Sequence, residues 1–200
     1  APELGDALVS YASREGVTVF MALFAAVSAL MRLVSGQEDV VLGVTVAGRA
    51  EVATDDLIGY MINPLAIRID HGGRPRFHTL VQQVRTVLLE AYAHQEMRFE
   101  MLVSELQPER DQGLTPLFQV MVNQQVIPLR VEDFDAGGGL VASAAKARGV
   151  GMAEAQCHYD VSFNFAQLQG RIDVTTGAPM APLVEVGLEW RETLFEDDTM

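Results

Sequence analysis

A two-layer α/β sandwich, with helices backing one mixed β-sheet, is predicted by three features of this chain. An almost wholly apolar helical run at residues 19–34 feeds directly into a continuous β-branched run at residues 40–46, the pattern of a deep helix followed by a buried strand. Residues 77–122 read as helix, corner, helix, corner, strand. Near the end of the chain, residues 159–165, 171–176 and 184–190 alternate as adjoining strands do. Two hundred residues suit one domain, and a domain of this length buries about 70% of the surface of its unfolded chain.

Residues 2–15 are expected to form an amphipathic first helix with Leu4, Leu8 and Ala12 on one side, ended by Gly16. Thr18 caps the second helix, and Ser35-Gly36-Gln37 ends it. After the β-branched strand, residues 47–56 are polar and turn-like, residues 65–69 form a strand, and His71-Gly72-Gly73-Arg74-Pro75 is a turn. Phe77, Leu80, Val81, Val84, Val87, Leu88, Ala91 and Tyr92 then recur at spacings of three and four, which makes one apolar helical face. His94-Gln95-Glu96-Met97-Arg98 breaks that period. It resumes in Phe99, Leu102, Val103 and Leu106, a short helix stopped by Pro108, because proline lacks the amide donor and clashes with the preceding turn. Pro116 leads into a strand at residues 117–122. Residues 127–156 are irregular, with Gly137-Gly138-Gly139 and six alanines between Ala142 and Ala155. Asp197-Asp198-Thr199 reads as a helix start cut short at Met200, as in a piece of a longer protein.

Composition excludes several function classes. The net charge of -13 arises from 27 acidic against 14 basic residues, and Lys146 is the sole lysine, so neither a nucleic acid nor an anionic membrane is an expected partner. Cys157 is the sole cysteine, which rules out an intrachain disulfide and fits a reducing, cytoplasmic setting. The most apolar run, residues 17–31, is shorter than the roughly 20 residues of a bilayer span. No secretion signal is evident at Ala1.

Three ordered motifs carry a family resemblance. His94-Gln95-Glu96-Met97-Arg98-Phe99-Glu100, followed by Leu102-Val103-Ser104-Glu105-Leu106 and by Arg110-Asp111 ahead of Pro116-Leu117-Phe118-Gln119, resembles the late motifs of nonribosomal peptide synthetase condensation domains. Ile58-Gly59-Tyr60-Met61-Ile62-Asn63-Pro64 with Arg68 resembles a further motif of that family, IGxFVNTxxxR. The resemblance runs from about residue 17 to the end and corresponds to the C-terminal lobe of the domain. It implies a chloramphenicol acetyltransferase-like half domain, residues 1–200 being one unit. Residues 47–56 would form the floor loop of the channel between lobes, and about 126–157 a latch or flexible crossover. It also implies a reaction, transfer of an acyl or peptidyl group from one carrier-protein phosphopantetheine thioester to an amine held on another. The implied partners are the N-terminal lobe and peptidyl carrier proteins. The phosphopantetheine arms are substrates, and no cofactor is bound directly.

The family's hallmark, HHxxxDG, supplies a histidine suited to handle the amine proton because its ordinary pKa lies near working pH. His71, His78, His94 and His158 stand apart here, and none is followed four residues later by Asp. No catalytic residue is therefore expected in this chain, which should be inactive alone. Gly43 to Arg49 lacks the Lys-Ser/Thr ending of a phosphate loop, and no GxSxG elbow, helical His pair or CxxC occurs. Glu132-Asp133-Phe134-Asp135 lacks the periodicity of a calcium loop, so no metal is expected.

By the resemblance, Tyr60, Asn63, Arg68 and Gln119 line the channel or position substrate. The Asn63 amide can donate and accept toward a thioester carbonyl or pantetheine arm, or else pin a turn beside Pro64. Arg68 contacts substrate or forms an ion pair across the lobes. Gln119 lines the channel or satisfies a backbone group. His94, at a helix C-terminus where an imidazole meets the helix dipole favourably, is structural, as are Gln95, Phe99, Glu100, Arg110 and Asp111. Cys157 has no basic neighbour other than His158 to activate it. Pro64 stands where the family has a hydroxyl residue, Met61 replaces an aromatic, Glu96 an Asp, and Arg98 a Pro. These departures leave open a second function, a catalytically silent docking module that recruits carrier proteins or tailoring enzymes. A lobe on its own is also expected to expose apolar area on its channel face and to self-associate.

Overall fold

The structure, a computed structural model, describes residues 2–47, 59, 61–108, 114–128, 159–169, 183–191 and 194. Helices α1 (Pro2–Glu15) and α2 (Val19–Ser35) precede strands β1 (Asp39–Val46) and β2 (Asn63–Asp70). Helices α3 (Phe77–Ala93) and α4 (Phe99–Leu106) follow, then β3 (Val120–Pro128), β4 (Val161–Gln169) and β5 (Leu183–Trp190). Gly16 closes α1 at φ +66°. The Thr18 hydroxyl accepts from the Met21 N–H at 3.2 Å, and Gly36, at φ +72°, donates its N–H to the Arg32 carbonyl. That left-handed terminus suits a residue without Cβ.

The described strands form one mixed sheet in the order β2-β1-β3-β4-β5. The β1/β2 and β4/β5 pairs are antiparallel, whereas β1/β3 and β3/β4 are parallel. Alternation divides every strand between two faces. On the first face Leu42, Val44, Leu65, Ile67, Ile69, Val122 and Phe165 meet Phe24 and Ala25 of α2 and Leu80, Val81, Val84 and Leu88 of α3 in one buried cluster. The predicted apolar faces of both helices are thus the ones that pack. This is the two-layer α/β sandwich that the sequence predicts.

The second face carries no long helix among the described residues, yet its centre is closed. Gly43 of β1 lies opposite Met121 of β3, and a Cβ at Gly43 would collide with the Phe118 ring. Phe118 and Met121 are fully buried. The Phe118 ring lies 5.5 Å from those of Phe99 and Tyr159, the latter stacked at 26°. The α3–α4 corner therefore folds round the β2 edge and brings Phe99 to the second face.

Several boundaries differ from expectation. Leu117 adopts φ +72°, which no strand residue does, so Phe118 turns in against Gly43 and β3 starts at Val120. It then continues to Pro128, into residues that read as irregular in the sequence. Strand β4 begins at Val161 because Tyr159 is engaged with Phe118. Residues 171–176 and 197–199, the floor loop beyond residue 47 and the crossover beyond residue 128 lie outside the described residues. No single described helix is long and apolar enough to cross a membrane.

Candidate functional site

The corner between α3 and α4 is held by one side chain from a distant strand. His94 ends α3, its N–H reaching the Ala91 and Tyr92 carbonyls. Arg98 opens α4 without a side-chain cap. Asn63 supplies what is missing. Its Nδ2 donates to the Gln95 carbonyl at 2.9 Å and the Met97 carbonyl at 2.8 Å, and its Oδ1 accepts from the Phe99 N–H at 3.1 Å. An amide can donate twice, so both N–H groups are occupied and only Oδ1 keeps acceptor capacity. The turn it pins is this corner, not one beside Pro64. Beside it opens a cleft of about 550 Å³, lined by Pro64, Ala66, Ala91, Met97, Phe99 and Met101 among others. His94 and Glu96 border the same cleft, and Gln95 and Glu100 belong to the corner and the first turn of α4.

Arg68 lies elsewhere. It is five residues along β2 from Asn63, roughly 17 Å at about 3.3 Å per residue, and on the opposite face of the strand. Its guanidinium donates to Asp39 of the neighbouring strand, Nε to Oδ1 at 2.8 Å and Nη2 to Oδ2 at 2.6 Å. Both side chains are exposed. This ion pair lies within the sheet. These hydrogen bonds hold the Asp39 carboxyl below its ordinary pKa and raise that of Arg68. Gln119 precedes β3, donates its amide to the Thr115 carbonyl at 3.1 Å and accepts the Asp160 N–H on its backbone oxygen at 2.9 Å. With Asp39, Val41 and Leu117 it lines a smaller cleft of about 250 Å³. Tyr60, Arg110, Asp111, Cys157 and His158 lie outside the described residues.

Two groupings escape the sequence reading. Across the second face, the Thr45 hydroxyl donates to Asn123 Oδ1 at 2.8 Å, and Asn123 Nδ2 donates to Asn164 Oδ1 at 3.3 Å. This row of half-buried, uncharged groups spans β1, β3 and β4. Its signal in the sequence is a lone asparagine inside each of two apolar strand sequences. Beneath the first face, Ser28 and His71 share a hydrogen bond of 2.7 Å. Both are buried, at 0% and 2% exposure, so no substrate reaches them. The backbone N–H of His71 donates to the Glu38 carbonyl at 2.6 Å, so the first residue of the turn read at residues 71–75 is a buried anchor while Gly72, Gly73 and Arg74 stay exposed. Burial, then the charge of Arg32, hold this imidazole below its ordinary pKa.

These groups can hold and orient an uncharged polar ligand; none is an accessible, activated nucleophile or base. Among the described residues no cluster of His, Cys, Asp and Glu fits a metal ion.

Comparison with known proteins agrees with this architecture. A family model for the condensation domain matches residues 1–177. The chain is 37% identical over 206 residues to one subunit of the linear gramicidin synthase of Brevibacillus parabrevis, across 99% of this chain and 4% of that protein. With another subunit of the same synthase it shares 38% over 172 residues, across 86% of this chain and 2% of that protein. The first condensation domain of the CDA synthetase superposes with a TM-score of 0.68 at 21% identity, covering 99% of this chain and 39% of that one. A chain in the complex of the X-domain and OxyB from teicoplanin biosynthesis gives 0.75 at 22%, covering 96% and 38%. The chain thus spans only a small part of the synthetases it matches. Its matched family model and the identities along most of its length, joined to the mixed sheet and corner described above, show that the chain belongs to the condensation-domain family of nonribosomal peptide synthetases.

Proposed function

We propose that this chain is the C-terminal lobe of a condensation domain and forms one wall of the channel in which a carrier-bound acyl or peptidyl thioester is passed to an amine acceptor. In that reaction the amine nitrogen attacks the thioester carbonyl, the C–S bond breaks, the phosphopantetheine thiol leaves and an amide forms. The amine proton passes to an imidazole of the other lobe. The observation that carries the reading is the contrast between a family match over residues 1–177 and the lack of HHxxxDG anywhere in the sequence. Solved condensation-domain chains that this chain covers to 39% leave room for a second lobe.

On this reading Tyr60, Arg68 and Gln119 contribute to the wall, and Asn63 acts indirectly, through the corner that it fixes. The partners are the N-terminal lobe and peptidyl carrier proteins, whose phosphopantetheine arms are the substrates. The test is amide formation by the full parent synthetase with loaded carrier proteins. Product that disappears when the second histidine of an upstream HHxxxDG is changed to alanine supports the reading. A parent without that motif, or one whose product is indifferent to it, overturns it.

A second reading, a silent docking module, is favoured by Met61, Pro64 and Arg98 at motif positions and by the same fold in the X-domain and OxyB complex. Carrier-protein binding without amide formation in that assay would select it. Self-association of the lobe alone belongs to either reading. The exposed Leu30, Leu33 and Val34 of α2 offer an apolar surface for it.

A further inference from the structure

The corner that Asn63 holds presents an unusual outer surface. Met97, Met101 and Leu106 are 52%, 60% and 58% exposed, and α4 buries none of its residues fully. Met97 and Met101 line the cleft of about 550 Å³, with Ala66 and Phe99 on its walls. Glu96, Glu100 and Glu105 are exposed between these apolar side chains, against the single arginine Arg98. Within the described residues none of the three carboxylates has an ion-pair partner. Glu96 borders the groove, and Glu100 and Glu105 stand exposed on the adjoining helix; an open apolar groove beside unpaired carboxylates is the complement of a surface that is apolar in the middle and basic at its margins. Methionine suits such a groove because its unbranched, polarizable side chain adapts to what enters.

Three alternatives fit less well. Strand addition to the β2 edge, which pairs with no further strand among the described residues, meets Pro64, which has no N–H and marks strand edges that do not extend. A second copy of this chain, at a net charge of -13, is repelled by the carboxylate rim. An anionic membrane is repelled in the same way.

We propose that the α3–α4 groove docks a short basic amphipathic helix of a partner protein. Its apolar side chains, at three- and four-residue spacing, enter between Ala66, Met97 and Met101, and its lysines or arginines meet Glu96, Glu100 and Glu105. This goes beyond the channel-wall role and stands whether or not the parent makes amides.

The test uses the full chain and a fluorescein-labelled leucine–lysine helix of about four turns, with a leucine–glutamate helix of the same pattern as its control, read by fluorescence anisotropy. The expected result is micromolar binding of the lysine helix and none of the glutamate helix. Met97→Lys with Met101→Lys should weaken binding at least tenfold. Leu33→Lys, which adds positive charge at another exposed apolar site on α2, should leave it within twofold. If the paired lysine variant fails to fold by circular dichroism, Glu100→Gln with Glu105→Gln replaces it, and a three- to tenfold loss is expected. Equal weakening by Leu33→Lys, equal binding of both helices, or a dimer by light scattering that Met101→Lys dissolves would each overturn the proposal.

Discussion

The two faces of the sheet are built on different principles. The first face is a continuous apolar layer in which α2 and α3 cover β1, β2, β3 and β4 with aliphatic and aromatic side chains. The second face is assembled from small separate devices: the Phe118 wedge on Gly43, the Thr45–Asn123–Asn164 row, the Arg68–Asp39 pair and the Phe99 ring, which arrives round the β2 edge from the corner that Asn63 pins. Burial of apolar area is non-directional and tolerant of how it is arranged. Hydrogen bonds and ring contacts are directional, so the second face depends on individual residues. Stability therefore resides mainly in one face, and the capacity to recognise polar groups in the other.

The largest effect expected is on the first face. Phe24→Ala removes a fully buried ring and should cost about 3–5 kcal/mol by urea denaturation; a cost below about 1 kcal/mol would break the contrast between the faces. Asn63→Ala should cost about 2–3 kcal/mol, since three hydrogen bonds to the corner are lost at about 1 kcal/mol each. Hydrogen exchange at Phe99 should rise in that variant while exchange in α2 stays slow. Gly43→Ala drives a methyl into the Phe118 ring, which Phe99 and Tyr159 wall in, for an expected loss of about 1–3 kcal/mol. Adding Phe118→Leu should recover part of it, and a purely additive double variant would show that the two positions do not touch.

A smaller, pH-dependent effect belongs to His71. Burial, then Arg32, lower its folded pKa, whereas the unfolded chain titrates near about 6.5. Above about pH 6.5 both states are neutral at this ring and stability is flat. Below it the unfolded chain binds the proton first, so stability falls with pH, and His71→Gln should flatten that slope. Asp39, held low by Arg68, responds only below its unfolded value of about 3.9. The least effect is expected from Arg68→Gln, because its ion pair is solvent-exposed and such pairs are worth little. No measurable change in the denaturation midpoint is the expected outcome, and a clear loss would mean that this exposed pair carries stability after all.

How much is legible in the sequence depends on how local the cause is. Helix periodicity places α3 from Phe77 and α4 from Phe99 to Leu106, and the Thr18 and Gly36 caps bound α2, because each signal lies within a few residues of its effect. The start of β3 is misread at Leu117 because Phe118 obeys Gly43, a residue 75 positions earlier in the chain. At the candidate site, the motif around Asn63 points to a residue of consequence but not to its task. A side-chain amide beside a proline does not announce which backbone groups it will meet.

The sequence by itself determined the fold class, the elements of the first face, the family resemblance and the lack of the proton-handling motif, all of which are written in local patterns of residue type. Only the tertiary structure decided that Asn63 caps α4, that Thr45, Asn123 and Asn164 join in one row, and that Ser28 shields His71. Those contacts link residues separated by 36, 78, 41 and 43 positions. Strand order and the path of the chain round the β2 edge bring them together, and neither is encoded in the spacing of neighbours.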